Sequence, residues 1–572
     1  MKYLIVLFGL LIIGCTQKQS DDSKRLNDLI QSVQAHEGYN KKEFPLGVFT
    51  KDYYQNEADF AKIKLDELAK INRIALNETE KISAELLEFV LQEQIDYFEF
   101  EQYLNPLLSD SGFHSDLVYK VRPLTNYQQI KDYLDLLNAI PEFVNQHFVL
   151  LREGLTKGLS QPLVIFKGYE SSYDTHLVNN FEDSFFYSPF KNLPNELSQE
   201  QKDSVLLAAE KAIKTIVIPQ FGRIKAFFEE EYLPKTRTSL GVSDTPKGEE
   251  FYQNRINYYT TSTSYTADDI HQIGLNEVAR IKAEMEKIIA ELNFEGSFAD
   301  FFLFLRTDEQ FYAKSPDELL TRARDIAKRA DAQLPRYFKT LPRKPYGVAP
   351  VPDAIAPKYT GGRYIGTSKE STDPGYYWVN TYDLPSRTLY TLPALTVHEA
   401  VPGHHLQGSL NNELGDSIPQ FRKDLYLSAY GEGWGLYSEF LANEMGMYTS
   451  PFERFGQLTY EMWRACRLVV DTGIHAKGWT REQVVEFMAS HTALSIHEIN
   501  TETDRYISWP GQALSYKIGE LKIREVRKRA ETELGSKFDI REFHEIILEQ
   551  GTVTLSILEQ RVNNFILRLK NE

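Results

Sequence analysis

Residues 396–407 read TVHEAVPGHHLQ and gather the side chains that metal-assisted hydrolysis uses: imidazoles to hold a divalent ion, and a carboxylate to take a proton from water. The spacing is unusual. On a helix, residue i+4 lies about 40° around and about 6 Å along, so two imidazoles four apart converge on one ion. Here the fourth residue after His398 is Pro402, and the next histidines are His404 and His405. On an unbroken helix His404 would sit about 240° around, and His405 about 20° short of two turns and about 10 Å along, so neither would converge. Pro402 has no N–H and its ring collides with the carbonyl four residues back, while Gly403 permits unusual dihedrals. A two-residue excursion at this Pro-Gly pair could return His404 to the place of an i+4 ligand. Otherwise the stretch is a surface helix turn with chance histidines. His497-Glu498 and His544-Glu545 also pair the two residue types, but only 398–405 clusters them.

A second stretch, AYGEGWGLYSEF (429–440), sets Glu432 between two glycines and an indole at the start of an aromatic helix. A site of two histidines and one glutamate takes its third ligand from a separate downstream helix, and the glycines would allow close approach. Glu439, seven residues on, shares that face and could accept a hydrogen bond from a ligating imidazole. Alternatively, Glu432 is a solvated carboxylate near a helix start. A third stretch, EMWRACRLVVDTGIHAKGW (461–479), places Arg464, Arg467, Asp471 and His475 on one helical stripe. Either the stripe is an internal salt-bridge network, or it faces the cleft with Asp471 orienting His475 and an arginine meeting a substrate carboxylate. In RYISWPGQALSYKIGELKIREVR (505–527), read as a loop entering a helix, Tyr516 could donate to a tetrahedral oxyanion or serve packing alone.

The elements that must position these groups are mostly helical. Apolar residues recur three and four apart over 59–77, 80–102, 201–232 and 266–292, and Thr266 with Asp268 and Asp269 marks a helix start. Residues 339–390 are rich in Pro and Gly and contain a short alternating run, read as loops and a small sheet whose last strand lies near 375–382. Helices resume near 391, where Thr391 can cap and Pro393 is tolerated in the first turn. The expected fold class is mainly α, with a small β-sheet beside the metal-binding helix. Residues 26–338 read as an N-terminal helical region and 339–572 as the metal-site region, the two forming one continuous unit.

A chain of 572 residues, 42% hydrophobic and 25% charged, can bury a large core. The net charge of -17, without clustered Lys and Arg, argues against a nucleic-acid partner. The 33 Tyr and 34 Phe suit either an aromatic-rich core or a long cleft with hydroxyl-tipped walls. The N-terminus MKYLIVLFGLLIIGC has an apolar run too short to span a bilayer. Its ending resembles a bacterial lipobox, which makes 1–14 a signal peptide, Cys15 the lipidated first residue and 15–25 a polar tether; the alternative is an ordinary signal peptide that contains a cysteine. With Cys15 lipidated only Cys466 remains as a thiol, so no internal disulfide forms.

Taken together, HEAVPGHHLQ, EGWGLYSE, RLVVDTGIHAKGW and YISWPGQALSYKIG resemble the bacterial DUF885 family. Its pattern H-E-x-x-P-G-H-x-x-Q matches at His398, Glu399, Pro402, Gly403, His404 and Gln407, which favours His404 over His405 as second ligand. The resemblance implies a gluzincin-like helical fold and distant kinship with helical zinc carboxypeptidases and dipeptidases, and EGWG looks like the ligand helix of gluzincins. The family itself is named for unknown function. The expected activity is a Zn²⁺-dependent hydrolase of the cell envelope, most concretely a metallopeptidase of short peptides. His398, His404 and Glu432 are the expected metal ligands and Glu399 the general base. His475 and Tyr516 are candidates for the oxyanion, and Arg464 and Arg467 for a substrate carboxylate. The expected partners are a peptide substrate and, through the lipid, a membrane. The rival expectation is a non-catalytic envelope scaffold that binds peptide or metal. Against it, Glu399 has no structural reason to adjoin His398, whereas hydrolysis requires a base there.

Overall fold

The computed structural model describes residues 21–572 apart from 354, 357–358 and 369–370. The signal stretch 1–14, Cys15 and the first part of the expected tether lie outside the described residues. The tether's end is not a tether, because Asp21–Gln34 forms a helix that buries Leu26, Leu29 and Ile30. The next helices start where the side chains cap them: Thr50 accepts from Tyr53 N–H ahead of Lys51–Leu68, and Asn77 and Glu80 form a capping box on Glu78–Glu99. The helix expected over 59–77 therefore begins earlier and stops at Leu68, since Asn72 caps a separate turn at Arg73–Ala75. Thr266 and Asp269 close a capping box on Ala267–Glu291 as read from the sequence. Gln199–Ala212 runs on through widened turns at Ile213–Val217 and Phe227–Tyr232. Pro219 offers no N–H to the turn before it, which accounts for the first widening. Much of the aromatic content is core: Phe113, Phe148, Phe227, Phe228, Tyr169, Tyr173 and Tyr232 are all buried in one cluster.

Three strands, β1 (Tyr346–Pro350), β2 (Gly362–Ile365) and β3 (Gly375–Val379), form the small sheet in the order β1-β3-β2. β1 pairs parallel with β3, and β2 antiparallel with Tyr364 opposite Tyr377. β1 lies in the Pro/Gly-rich stretch that pattern alone assigns to loops, and β3 is shorter than the strand expected there. Because β2 is an edge strand, one side of its backbone is free to face the helix beside it.

That helix is Leu392–Glu399, which carries His398 and Glu399 and packs against Ser428–Glu444 and the long helix Pro451–Lys477. Thr391 precedes it without capping it, its hydroxyl donating instead to Thr388 O. The long helix is anchored by a buried ion network. Lys517 Nζ, fully buried, contacts Glu461 (2.8 Å), Glu520 (2.9 Å) and Glu277 (3.0 Å), and Arg280 and Arg524 close around Glu461. Breaking such a network by removing one partner costs about 3–5 kcal/mol, so the helix that carries Arg464 and Arg467 has a defined position relative to the site. Both the N-terminal and the C-terminal stretches contribute to the two largest core clusters.

Candidate metal centre

At the Pro-Gly pair the helix breaks and restarts. Leu392–Glu399 ends, Val401-Pro402 is cis, and a new helix runs over His404–Asn412. The turn stays hydrogen-bonded through wide rings: Gly403 N–H donates to Val397 O at 2.9 Å, and His405 N–H to Ala400 O at 3.0 Å. Trp434 Nε1–H donates to Pro402 O at 2.8 Å, so the freed carbonyl is satisfied from the neighbouring helix. Gly403 is obligatory here, since a Cβ would lie 1.8 Å from His398 O. The expected bulge is thus a full interruption between two helices, with the consequence the bulge was invoked for: His404 returns to His398.

The rings of His398 and His404 lie 4.8 Å apart and nearly perpendicular. Glu432 Oε2 lies 3.6 Å from His398 Nε2 and 3.3 Å from His404 Nε2. The three ligand atoms fall within 4.8 Å of one another. A tetrahedral ion with bonds of about 2.0–2.1 Å has ligand–ligand edges of about 3.3–3.4 Å, so the imidazole–carboxylate separations are of the size a zinc ion would need. Gly435 allows the approach, because a Cβ there would meet His398 Cε1 at 2.7 Å and Nε2 at 2.8 Å.

The surrounding groups fix the orientation of these three. His398 Nδ1–H donates to Glu439 Oε1 at 2.8 Å, which leaves Nε2 to face Glu432. Burial alone would lower the His398 pKa, but the hydrogen bonds to Glu432 and Glu439 raise it to about 10. Burial would raise Glu432, and the His404 and His398 imidazoles instead hold it well below the usual carboxylate range. Both shifts arise from the close approach of the imidazoles and the carboxylate. Tyr426 OH donates to Glu432 Oε1 at 2.9 Å, leaving Oε2 to face the imidazoles. Glu399 is buried next to His398, and its Oε2 accepts from Tyr364 N–H of β2 at 2.8 Å. His405 turns away. Its Nδ1 meets Tyr364 OH at 3.1 Å and Ser409 Oγ at 3.3 Å, and burial lowers its pKa to about 4.

The stripe on the long helix divides. His475 is fully buried, accepting from Val242 N–H at Nδ1 (3.3 Å) and donating from Nε2 to Tyr506 O (2.9 Å), with its pKa lowered to about 3 by burial. Both nitrogens are committed to backbone, so the expected oxyanion role is corrected to a structural one. Asp471 does not orient it. Tyr252 OH (2.6 Å) and Gly511 N–H donate to Asp471, which burial pushes up to about 7. Arg464 and Arg467 instead flank Tyr516, their guanidinium carbons 5.8 and 4.5 Å from its ring centre. Arg464 NH2 also comes within 4.0 Å of Glu439. Tyr516 lies in the first turn of the helix Ser515–Leu534, while residues 505–508 end the preceding helix Ile496–Ser508, so the loop expected there is confined to the intervening turn.

A family model described as "Bacterial protein of unknown function (DUF885)" matches residues 34–562. The chain belongs to this family. Solved structures that share its fold include two described as lipoproteins. One, a "putative lipoprotein" from Colwellia psychrerythraea, is 27% identical, with a TM-score of 0.87 over 96% of this chain and 100% of that one. The other, a "putative lipoprotein of unknown function" from Shewanella oneidensis, is 19% identical, with a TM-score of 0.71 over 95% and 99%. No curated protein matches.

Sequence reasoning missed several members of the site. Tyr426, six residues before Glu432, has no pattern that marks it. Tyr364 contributes a backbone N–H, which any residue there would supply. Trp434 did carry a signal, an indole set between Gly433 and Gly435 beside a candidate ligand.

Proposed function

We propose that this protein is a zinc-dependent hydrolase, most concretely a metallopeptidase of gluzincin type acting on short peptides at the cell envelope. The observation that carries the reading is the convergence of His398, His404 and Glu432 within 4.8 Å, with the Glu399 carboxylate fixed beside them by Tyr364 N–H. A zinc ion held there would acidify a water and polarise the scissile carbonyl. Glu399 takes the proton from the attacking water and delivers it to the leaving amine, and Tyr364 N–H holds the carboxylate in reach of both. Glu439 keeps His398 in the ligating tautomer. Tyr516 stays a candidate oxyanion donor, because no described residue accepts a hydrogen bond from its hydroxyl. The lipobox at Cys15 and the description of the relatives from Colwellia and Shewanella support anchoring by lipid, and no helix among the described residues is long and apolar enough to cross a membrane.

The test is metal analysis combined with a peptide digest. Purified protein should bind one zinc. Glu399→Gln should keep the zinc and lose about 10²-fold or more of hydrolysis, whereas Glu432→Gln should weaken zinc binding, with activity partly restored by excess zinc. Near-normal hydrolysis by Glu399→Gln, or failure to bind zinc after supplementation, would sink the reading and favour a non-catalytic scaffold.

A further inference from the structure

Arg464 and Arg467 are 6% and 2% exposed, and their hydrogen bonding is incomplete. Arg464 Nε and Arg467 NH1 are buried without any hydrogen-bond partner, and so is Arg387 Nε. Arg464 is the more deprived of the pair. Its polar contacts are a 3.5 Å bond from NH1 to Tyr460 O and the 4.0 Å approach of NH2 to Glu439, a carboxylate already engaged by His398. Arg467 donates to Tyr506 OH (3.0 Å) and Glu502 (2.9 Å), and Glu502 is shared with Arg505. Glu498 is an electrostatic neighbour of Arg387, Arg464 and Arg467, yet none of the described arginines hydrogen-bonds to it. Three guanidinium donors here are therefore left without an acceptor among the described residues.

A buried guanidinium is costly unless its donors are met. The walls here are aromatic: Trp463, Tyr460 and Tyr516 lie against Arg464, and Trp463, Tyr506 and Tyr516 against Arg467. Ring faces at this distance attract the guanidinium charge but offer its N–H groups no strong acceptor. A planar anion supplies what is missing, and a carboxylate matches the fork. Arg464 is also close to the candidate metal centre. Arg464 NH2 and His398 Nδ1 share Glu439 Oε1, at 4.0 and 2.8 Å respectively.

We propose that Arg464 and Arg467 form the recognition site for the free α-carboxylate of a peptide, so that the enzyme acts at the C-terminus. This rests on the peptidase reading of the adjacent centre. It makes the substrate class an unblocked C-terminal peptide and makes the arginines specificity-determining.

The experiment uses one N-acetylated peptide pool prepared as free acids and again as carboxamides, given to the zinc-supplemented wild type. Acids should be cleaved with a kcat/KM about a hundredfold or more above the amides, because an amide cannot satisfy two charged forks. Arg464→Lys and Arg467→Lys should shrink that ratio by lowering turnover of acids more than of amides, which a merely structural role would not do. Calorimetric binding of the same two pools to Glu399→Gln gives a second readout that needs no turnover. Acids and amides within about threefold of each other in both cleavage and binding overturn the proposal, as does a ratio unchanged in both lysine variants. If neither pool is cleaved, the peptidase reading has failed, and the acid-to-amide binding ratio alone decides whether the pocket takes a carboxylate.

Discussion

Glu439→Gln tests the proposed zinc site through a residue that is not one of the three candidate ligands. Glu439 is fully buried and its Oε1 holds His398 Nδ1–H at 2.8 Å, while its Oε2 has no hydrogen-bond partner. Glutamine keeps the shape and an accepting oxygen, so what is removed is charge. A hydrogen bond to a charged group is worth about 1.5–3 kcal/mol and a neutral one about 0.5–1.5, so the imidazole loses about 1–1.5 kcal/mol of support. At 1.4 kcal/mol per decade, zinc affinity should fall about tenfold, at the lower end of the about 10–100-fold typical of such partners. Glu439→Ala, which also frees the ring to rotate, should approach the upper end. The assay is competition for zinc against a chromophoric chelator. Thermal melts in excess chelator provide the control, because Arg464 loses its nearest carboxylate and the metal-free fold should also be destabilised. A zinc affinity within twofold of wild type would refute the view that Glu439 supports His398 as a ligand.

Other expectations can be checked with the same chelator assay and simple fractionation. His404→Ala should abolish tight zinc binding; His405→Ala should keep it and cost about 1–3 kcal/mol of stability by removing a buried imidazole that bonds the Tyr364 and Ser409 hydroxyls, and the reverse pattern would misassign the pair. Gly435→Ala should lower zinc affinity at least about tenfold, since the new methyl meets the His398 ring at 2.7 Å, although Gly→Ala inside a helix ordinarily adds about 0.5–1 kcal/mol of stability; unchanged affinity would mean that the ring is not confined. Cys15→Ser should move the protein from the membrane to the soluble fraction or leave it unprocessed, and unaltered fractionation with an unmodified Cys15 by mass spectrometry would reject the anchor.

The sequence by itself determined whatever rests on local backbone geometry. Thr266 and Asp269 mark a helix start within a single turn, and that capping box forms. Pro402 and Gly403 cannot continue a regular helix, so the late histidine and the break that accommodates it were legible together. Seven-residue spacing on one helix set Glu439 beside Glu432. The sequence could not apportion the stripe 464–475, where equal spacing hides unequal surroundings: His475 faces the Val242 and Tyr506 backbone, while Arg464 and Arg467 face Tyr516. Nor could it supply Tyr364 N–H for Glu399 or the pairing of His398 with a carboxylate 41 positions away. Helical periodicity states which residues share a face, but what that face meets depends on packing between segments far apart in the chain. Here the buried Lys517 network and the free edge of β2 set that packing, so only the tertiary structure decided which polar groups became partners and which guanidinium donors were left without one.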